Sequence, residues 1–239
     1  MSHREIIVAF DLYGTLLSTE SIVEQLADYT GQEKAQSIAA AWRRYQLEYT
    51  WRLNSMDEWD NFFMVTRHAL QEALDEHKVM LGHEAIENLM AAYDSLSTFP
   101  DVIPTLNKLD SKPKITPVVF SNGTTKMVTN SVLHSKDLSP KADVFRKIIT
   151  VDHVRKYKPA PAVYEHLAEE MDKKSRMGDM WLVSGNPFDV VGALRSGMKA
   201  IWVDRAGRGW IDRVLPESQP TATVRSLEEI VDVIEGRAA

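Results

Sequence analysis

Short runs of apolar residues alternate with helical patterns along the second half of the chain. VVF before SNG, IIT before VDH and WLV before SGN are such runs, and a segment with apolar residues at helical spacing follows each of them. AIWV is a further run, and RSLEEIVDVIEG reads as a closing helix. Apolar strands separated by helices are typical of a parallel sheet covered on both faces. Together with IIVAF near the start, the pattern predicts an α/β fold with a Rossmann-like parallel sheet as its core.

A different pattern fills the segment from residue 18 to residue 96. TESIVEQLADYTG, QEKAQSIAAAWRRYQLEYTWRL, MDEWDNFFMVTRHALQEALDEH and HEAIENLMAAYDSL are consecutive helical patterns without a convincing strand between them. So many helices in a row do not suit a doubly wound sheet. We therefore predict an all-helical cap domain at 18–96, inserted after the first strand, and an α/β core domain made of 1–17 and 97–239. Pro100 marks the start of the helix that returns the chain to the core.

Composition narrows the class of protein. With 44% hydrophobic and 26% charged residues over 239 positions, the chain is ordinary for a globular protein, and a net charge of −6 argues against nucleic acid as a partner. The absence of cysteine excludes disulfides, thiolate metal sites and a cysteine nucleophile. No signal-peptide pattern and no apolar stretch of about 20 residues is present. We expect a cytoplasmic protein without a membrane partner.

Small polar and charged residues follow the predicted strands. In an open parallel sheet, ligands bind beyond the carboxyl ends of the strands, where the loops converge. Any one of these residues could be ordinary loop chemistry, but their recurrence at successive strand ends predicts a shared crevice. The residues are Asp11, Ser121, Asn122, Lys158, Ser184, Asn186 and Asp189.

Asp11 is the candidate nucleophile of that crevice. A carboxylate can attack a substrate and form a covalent ester that a second step resolves. Lys158 could keep the carboxylate ionised, since a nearby opposite charge favours the charged form. Thr15 and Ser121 can donate hydrogen bonds, and the N–H groups of the two residues after Asp11 can bind an anion.

At this point the motifs match a known family. FDLYGTL, VVFSNG, YKPAPAVY and VSGNPFDVVGALRSGM resemble, in order and spacing, the four motifs of the haloacid dehalogenase superfamily. AAWRRYQLEYTWRL is similar to the cap helix of its L-2-haloacid dehalogenases, the type II haloacid dehalogenases. The resemblance covers nearly the whole chain. It implies that a short 2-haloalkanoic acid reacts with water through an aspartyl ester to give a 2-hydroxy acid, with inversion at C2 and without a metal or other cofactor.

Tyr13 favours dehalogenation over the phosphatase chemistry of the same superfamily. The superfamily's phosphatases carry a second Asp at this position as a general acid, and a phenol with a pKa near 10 is a poor proton donor at neutral pH. Ser184 stands where those enzymes place a metal-binding carboxylate. Asp11 and Asp189 with Lys158 between them would make a weak Mg²⁺ site. A halide leaving group needs neither protonation nor a metal.

The resemblance also implies binding roles. Arg43 matches the arginine that draws off the halide and positions the substrate, although Arg44 beside it is a rival from the sequence alone. The halide cradle would comprise Asn122 and Phe188, since the positive edge of an aromatic ring suits an anion. The substrate carboxylate would lie against Ser121 and the N–H groups of Leu12 and Tyr13. The residues that match the apolar pocket for the alkyl group are Tyr13, Leu47 and Phe62.

Catalytic roles follow from the same comparison of motifs. Asp189 would activate the hydrolytic water, and a group of neighbours would order it. Tyr164 matches a tyrosine that contacts this site, although a helix-face position explains it nearly as well. The complete catalytic set is Asp11, Thr15, Arg43, Ser121, Lys158, Tyr164, Ser184, Asn186 and Asp189.

Three alternatives stay open at this point. The chain could be a small-molecule phosphatase of the same fold, a hydrolase of another small activated acid, or a binding protein that kept the fold without catalysis. The preferred halogen, the chain length and the enantiomer are also open. The family commonly forms homodimers through the cap, and the aromatic residues of WRRYQLEYTW would suit such an interface or a core equally well.

Overall fold

The computed structural model describes residues 5–238, and a six-stranded sheet lies at its centre. The strand order is β3-β2-β1-β4-β5-β6, and every neighbouring pair is parallel. The parallel α/β core predicted from the alternating pattern is confirmed. The strands are β1 (Ile6–Phe10), β2 (Ile115–Ser121), β3 (Ile148–Thr150), β4 (Met180–Ser184), β5 (Lys199–Val203) and β6 (Ala222–Val224).

The register of the central strands brings their carboxyl ends to one edge. Phe10 at the end of β1 pairs with Val119 on one side and with Val183 on the other. Every residue of β2 and β4 is buried, as expected for strands covered by helices on both faces. The residues that follow these strands therefore meet at the same edge.

Nine α-helices accompany the strands within residues 5–238. Five of them lie between β1 and β2, and the other four follow later strands. The helices are α1 (Val23–Thr30), α2 (Gln32–Met56), α3 (Phe62–Glu76), α4 (His83–Tyr93), α5 (Val102–Asp110), α6 (Thr125–Thr129), α7 (Pro161–Glu170), α8 (Pro187–Arg195) and α9 (Ile230–Ala238).

The 25-residue helix α2 organises the helical segment between β1 and α5 by packing against both α1 and α3. The indole of Trp42 is buried and donates from Nε1 to the carbonyl oxygen of Thr66 on α3 (2.7 Å). The segment that leaves the sheet after β1 and the segment that returns to it are adjacent, because Ser18 N–H donates to Ser97 O (2.8 Å). The two connections between the helical segment and the rest of the chain are therefore adjacent.

Two local features differ from the sequence expectation. β6 was missed because its three residues, ATV, contain no apolar run, and the strand is specified by pairing with β5 at the sheet edge. The helix expected after SNG is α-helical only to Thr129 and continues as a π-helix over Asn130–His134. None of the described helices is long and apolar enough to cross a lipid bilayer.

Candidate active site

Asp11 directly follows β1, and four side chains converge on its buried carboxylate. Thr15 Oγ1 and Asn186 Nδ2 each donate to Oδ2 at 2.7 Å, and Ser184 Oγ lies 3.4 Å from the same oxygen. Lys158 Nζ is 3.1 Å from the other oxygen, Oδ1. Oδ2 thus accepts most of the hydrogen bonds, and Oδ1 has a single partner among residues 5–238.

Lys158 is buried in the site, with a side chain that is only 1% exposed. Its Nζ donates to Asp11 Oδ1, to Asp189 Oδ2 (2.8 Å) and to the carbonyl oxygen of Phe120 (2.8 Å). These three acceptors satisfy the three protons of an ammonium group. The ammonium also lies 4.1 Å from the centre of the Phe120 ring. A buried charge with this many partners is a fixed electrostatic element of the site.

Asp189 lies in the first turn of α8 and is fully buried. Tyr164 Oη, from α7, donates to Asp189 Oδ1 at 2.8 Å, so the carboxylate is held between a phenol and the ammonium of Lys158. Burial raises the pKa of Asp189, Lys158 opposes that rise, and the charge of Asp11 adds to it. Asp189 is therefore a stronger base than an ordinary carboxylate.

Arg43 reaches from α2 to the strand ends. Its Nη2 lies 3.3 Å from the carbonyl oxygen of Tyr13 and 3.3 Å from Asn186 Oδ1. Arg44, the rival in the sequence, points the other way and pairs with Glu76 at the exposed surface (2.7 Å). The structure thus brings Arg43 to the site and leaves Arg44 outside it.

Tyr13 contributes an aromatic wall beside the nucleophile. Its ring stacks on Phe62 (centroids 5.7 Å apart, 23° between planes) and lies 5.5 Å from the ring of Tyr93. Leu47, which is half-buried, is one helical turn beyond Arg43 on α2. Burial, followed by the neighbouring Tyr93 and Asp94, raises the pKa of Tyr13 well above its ordinary value. The phenol is therefore an even weaker acid than the sequence suggested.

The end of β2 adds Ser121 at the same edge, and Asn122 directly follows it. Asn122 Oδ1 accepts from the backbone N–H of Lys158 (2.9 Å), which ties the two loops together. Ser121 Oγ accepts from Gly123 N–H (3.1 Å), and within the described residues no hydrogen bond joins it to Asp11. Gly123 is required by close packing, since a Cβ there would lie 3.0 Å from the Tyr13 ring. Ser121 thus lies at the same sheet edge as Asp11, and no hydrogen bond joins the two among the described residues.

Phe188 lies in the first turn of α8, and its aromatic partner is Trp51 of α2 (5.5 Å, 73° between planes). The two rings line a mainly apolar cavity of about 670 Å³ that also includes Pro159 and Gly192. The pairing of Phe188 with Asn122 as a halide cradle stays a prediction.

A haloacid dehalogenase-like hydrolase family model matches residues 7–197 of the chain. The chain belongs to this family. It is 32% identical to (S)-2-haloacid dehalogenase 4A of Burkholderia cepacia, over 83% of this chain and 82% of the relative. It is also 32% identical to haloacetate dehalogenase H-2 of Moraxella sp. strain B, over 95% and 96% of the two chains.

A solved structure supports the same assignment. L-2-haloacid dehalogenase from Xanthobacter autotrophicus, with chloropropionic acid covalently bound, superposes with a TM-score of 0.85 at 25% identity. The match covers 97% of this chain and 99% of the other. The resemblance inferred from the motifs is therefore confirmed, and the chain is a hydrolase of the 2-haloacid dehalogenase kind.

Sequence reasoning missed Gln46, which holds the arginine of this hydrolase in place. Gln46 is fully buried, and its Oε1 accepts from Arg43 Nη1 (2.6 Å) and from Tyr93 Oη (3.1 Å). Its Nε2 donates to Thr66 Oγ1 (2.8 Å). The i, i+3 spacing from Arg43 on one helix was the available signal.

Arg205 is a second missed residue. Its Nη2 donates to the carbonyl oxygen of Thr15 (2.9 Å), and its guanidinium binds both oxygens of Asp101 (2.9 and 2.8 Å). It also lies 3.9 Å above the Phe99 ring. Arg205 follows β5 at the same sheet edge as the other site residues, and that position was the signal.

Within residues 5–238, no group of three or more His, Asp or Glu side chains is arranged to hold a metal ion. The ammonium of Lys158 lies between the carboxylates of Asp11 and Asp189 and pairs with both. A metal ion between these two carboxylates would have to displace the ammonium of Lys158. The residues present suit a charge-neutralised carboxylate nucleophile.

Proposed function

We propose that this hydrolase converts short 2-haloalkanoic acids and water into 2-hydroxy acids and halide, with inversion at C2. The observation that carries the proposal is a buried carboxylate, Asp11, held by the Lys158 ammonium at the sheet edge, with the phenol of Tyr13 in place of a second acid. The relatives' names support this class, since one is a 2-haloacid dehalogenase and one a haloacetate dehalogenase.

In the first step, Asp11 Oδ1 attacks C2 of the substrate from the side opposite the halogen. The oxygen–carbon bond forms as the carbon–halogen bond breaks, and the halide leaves with the bonding electrons. Oδ1 is the favoured nucleophile because it has fewer hydrogen bonds competing for its lone pairs than Oδ2. The substrate carboxylate rests against Ser121 and the backbone N–H groups of Leu12 and Tyr13.

The surrounding side chains serve the leaving group and the alkyl group. Arg43 stabilises the departing anion, and Asn122 and Phe188 complete its cradle. The alkyl substituent lies in the pocket of Tyr13, Leu47 and Phe62, where the stacked rings of Tyr13 and Phe62 exclude water.

In the second step, water attacks the carbonyl carbon of the Asp11 ester and loses a proton to Asp189. The raised pKa of Asp189 suits a general base, and the Tyr164 hydrogen bond fixes its orientation. The ester bond then breaks, and the former substrate leaves as a 2-hydroxy acid. Thr15, Ser184 and Asn186 hold the carboxyl group throughout.

Halide release from L- and D-2-chloropropionate, with and without EDTA, tests the reaction. We expect EDTA-insensitive release from the L enantiomer. Activity on a generic phosphate ester that depends on Mg²⁺ would instead support the phosphatase alternative, which the weak acid Tyr13 disfavours.

A single turnover in ¹⁸O water tests the mechanism. Because water attacks the enzyme's carboxyl carbon, the label should enter Asp11 first and reach product only in later turnovers. If the first turnover placed ¹⁸O only in the product and none in Asp11, the ester mechanism would be wrong, although dehalogenation itself would stand.

We also propose that residues 18–96 act as a cap domain over a core of 1–17 and 97–239, since Arg43 of α2 contacts Tyr13 and Asn186 at the strand ends.

A homodimer through the cap would cover Trp51, which is 42% exposed. Sedimentation analysis tests this dimer. A cytoplasmic location is consistent with the cysteine-free sequence.

A further inference from the structure

A side chain of the long helix α2 holds the loop that carries Lys158. Asn54 lies in the last turn of α2, and its amide binds both main-chain groups of Tyr157. Asn54 Nδ2 donates to Tyr157 O (2.7 Å), and Tyr157 N–H donates to Asn54 Oδ1 (2.9 Å). The amide thereby satisfies the donor and the acceptor of the residue that directly precedes the lysine. The mechanism above does not use this contact.

The core holds the same stretch of main chain from its own side. Lys158 N–H donates to Asn122 Oδ1 (2.9 Å), and Ala160 N–H donates to Tyr157 O (2.9 Å). Of these partners, Asn54 is the one that belongs to the helical segment between β1 and α5. Together the bonds fix the point from which the lysine side chain extends.

The position of that main chain decides where the ammonium of Lys158 lies. The lysine side chain is a flexible four-carbon stem, yet its Nζ meets Asp11 Oδ1 (3.1 Å) and Asp189 Oδ2 (2.8 Å) at once. A shift of the loop by about 1 Å would lengthen or break these contacts, and a misplacement of that size can cost about 100-fold in rate. The loop must therefore be held firmly for the lysine to serve both carboxylates.

Arg43 and Asn54 extend from the same face of α2. They lie about three helical turns apart, which brings their side chains to one side of the helix. Arg43 reaches Tyr13 O and Asn186 at the strand ends, and Asn54 reaches the loop of Lys158. One helix therefore contacts the core at the site of the arginine and at the loop of the lysine.

We propose that Asn54 is a positioning residue for Lys158, through which α2 sets the place of the lysine ammonium as well as that of Arg43. The role depends on the amide of Asn54 and on the main chain of Tyr157, so the Tyr157 phenol has no part in it. The proposal rests on the proposed function, because it assigns to Asn54 the placement of a charge that both steps of that reaction use.

The variant Asn54→Leu tests the proposal, because leucine is close to asparagine in size and can make neither hydrogen bond. Asn54 borders the mainly apolar cavity beside Trp51 and Phe188, where a leucine side chain has apolar neighbours. We expect kcat/KM for 2-chloropropionate to fall about tenfold or more. Asn54→Ala, which also removes both bonds, serves if Asn54→Leu does not fold.

The pH dependence of kcat separates positioning from a general loss of stability. Lys158 opposes the rise in the pKa of Asp189, and Tyr164 and Asp11 are the other titratable groups that act on this carboxyl group. If the ammonium moves away, the pKa of Asp189 rises further, and Asp189 binds its proton at a higher pH. The acid limb of kcat should therefore shift to higher pH in Asn54→Leu. Wild-type kinetics, or a fall in activity with an unchanged acid limb, would overturn the proposal.

The matched control is Asp57→Asn. Asp57 directly follows α2 and pairs with Lys156 of the same loop, but its carboxylate is exposed, whereas the main chain of Tyr157 binds Asn54. Asparagine suits the left-handed backbone of this position (φ 59°). Both kcat/KM and the acid limb should be unchanged in this variant. Changes equal to those in Asn54→Leu would mean a general loosening between helix and loop, and Asn54 would have no specific role.

A crystal structure of Asn54→Leu decides the proposal if no 2-haloacid is turned over. The proposed function then fails, but the position of the lysine can still be observed. Displacement of Lys158 Nζ beyond hydrogen-bond distance of Asp11 or Asp189 would support the positioning role. A lysine that keeps both contacts would overturn it.

Discussion

Lys158 Nζ lies 3.1 Å from Asp11 Oδ1, and both groups are buried at the carboxyl edge of the sheet. The same ammonium lies 2.8 Å from Asp189 Oδ2. One positive charge therefore serves two carboxylates, the nucleophile of the first step and the base of the second. For Asp189, this ammonium opposes the rise in pKa that burial causes.

Replacing Lys158 by Met should abolish turnover and destabilise the protein. Removing one partner of a buried ion pair leaves an uncompensated charge, which costs about 3–5 kcal/mol. Urea unfolding measures that loss, and halide release should fall by at least about 100-fold. Lys156→Met is the control, because Lys156 pairs with the exposed Asp57 and should change neither quantity appreciably. Wild-type turnover in Lys158→Met would contradict the assignment.

Replacing Tyr164 by Phe should move the acid limb of the kcat profile, which includes hydrolysis of the ester, to higher pH. The phenol donates to Asp189 and so favours its ionised form, and without that bond the pKa of Asp189 rises further. Asp189 then binds its proton at a higher pH, and the base is lost earlier as the pH falls. Tyr157→Phe is a matched control, since Tyr157 is a buried tyrosine that donates to Asp60 O instead. A shift to lower pH in Tyr164→Phe would refute this role.

The sequence predicted the fold and the site correctly where a polar or charged residue of a motif directly follows an apolar strand. The parallel core and the placement of Asp11 and Lys158 follow from apolar runs and the residues behind them. β6 could not be predicted, because its three residues owe their conformation to an edge pairing. Gln46 was also missed, because its importance depends on Tyr93 and Thr66, which lie far away in sequence. The spacing from Arg43 alone could not show that these distant contacts hold Gln46 in place.

Arg43 and Arg44 should differ sharply when each is replaced by Met. Arg43 lies next to Asn186 and the Tyr13 carbonyl, whereas Arg44 makes an exposed ion pair with Glu76. We expect kcat/KM for 2-chloropropionate to fall by about 100-fold or more in Arg43→Met, as for loss of a group that stabilises developing negative charge. Arg44→Met should stay within about twofold of wild type. Equal losses of kcat/KM in the two variants would contradict the assignment of Arg43, and not Arg44, to the site.

Replacing Gly192 by Ala should displace Tyr164 and thereby lower the activity. A Cβ at this position of α8 would lie 2.3 Å from Tyr164 Oη and 2.7 Å from Pro159 Cβ, so the phenol must move away from Asp189. The acid limb of the kcat profile should therefore shift to higher pH, as in Tyr164→Phe, and the protein should lose stability.

Gly236→Ala in α9 is the matched control for that variant. Nothing lies within 4 Å of a Cβ at Gly236, so the helix-propensity gain alone should stabilise the protein by about 0.5–1 kcal/mol. The double variant Gly192→Ala/Tyr164→Phe should lose less activity than the sum of the two single changes, because both act through the same phenol. Strict additivity of the two losses would show that Gly192 acts by another route, such as displacement of Pro159 beside the catalytic lysine.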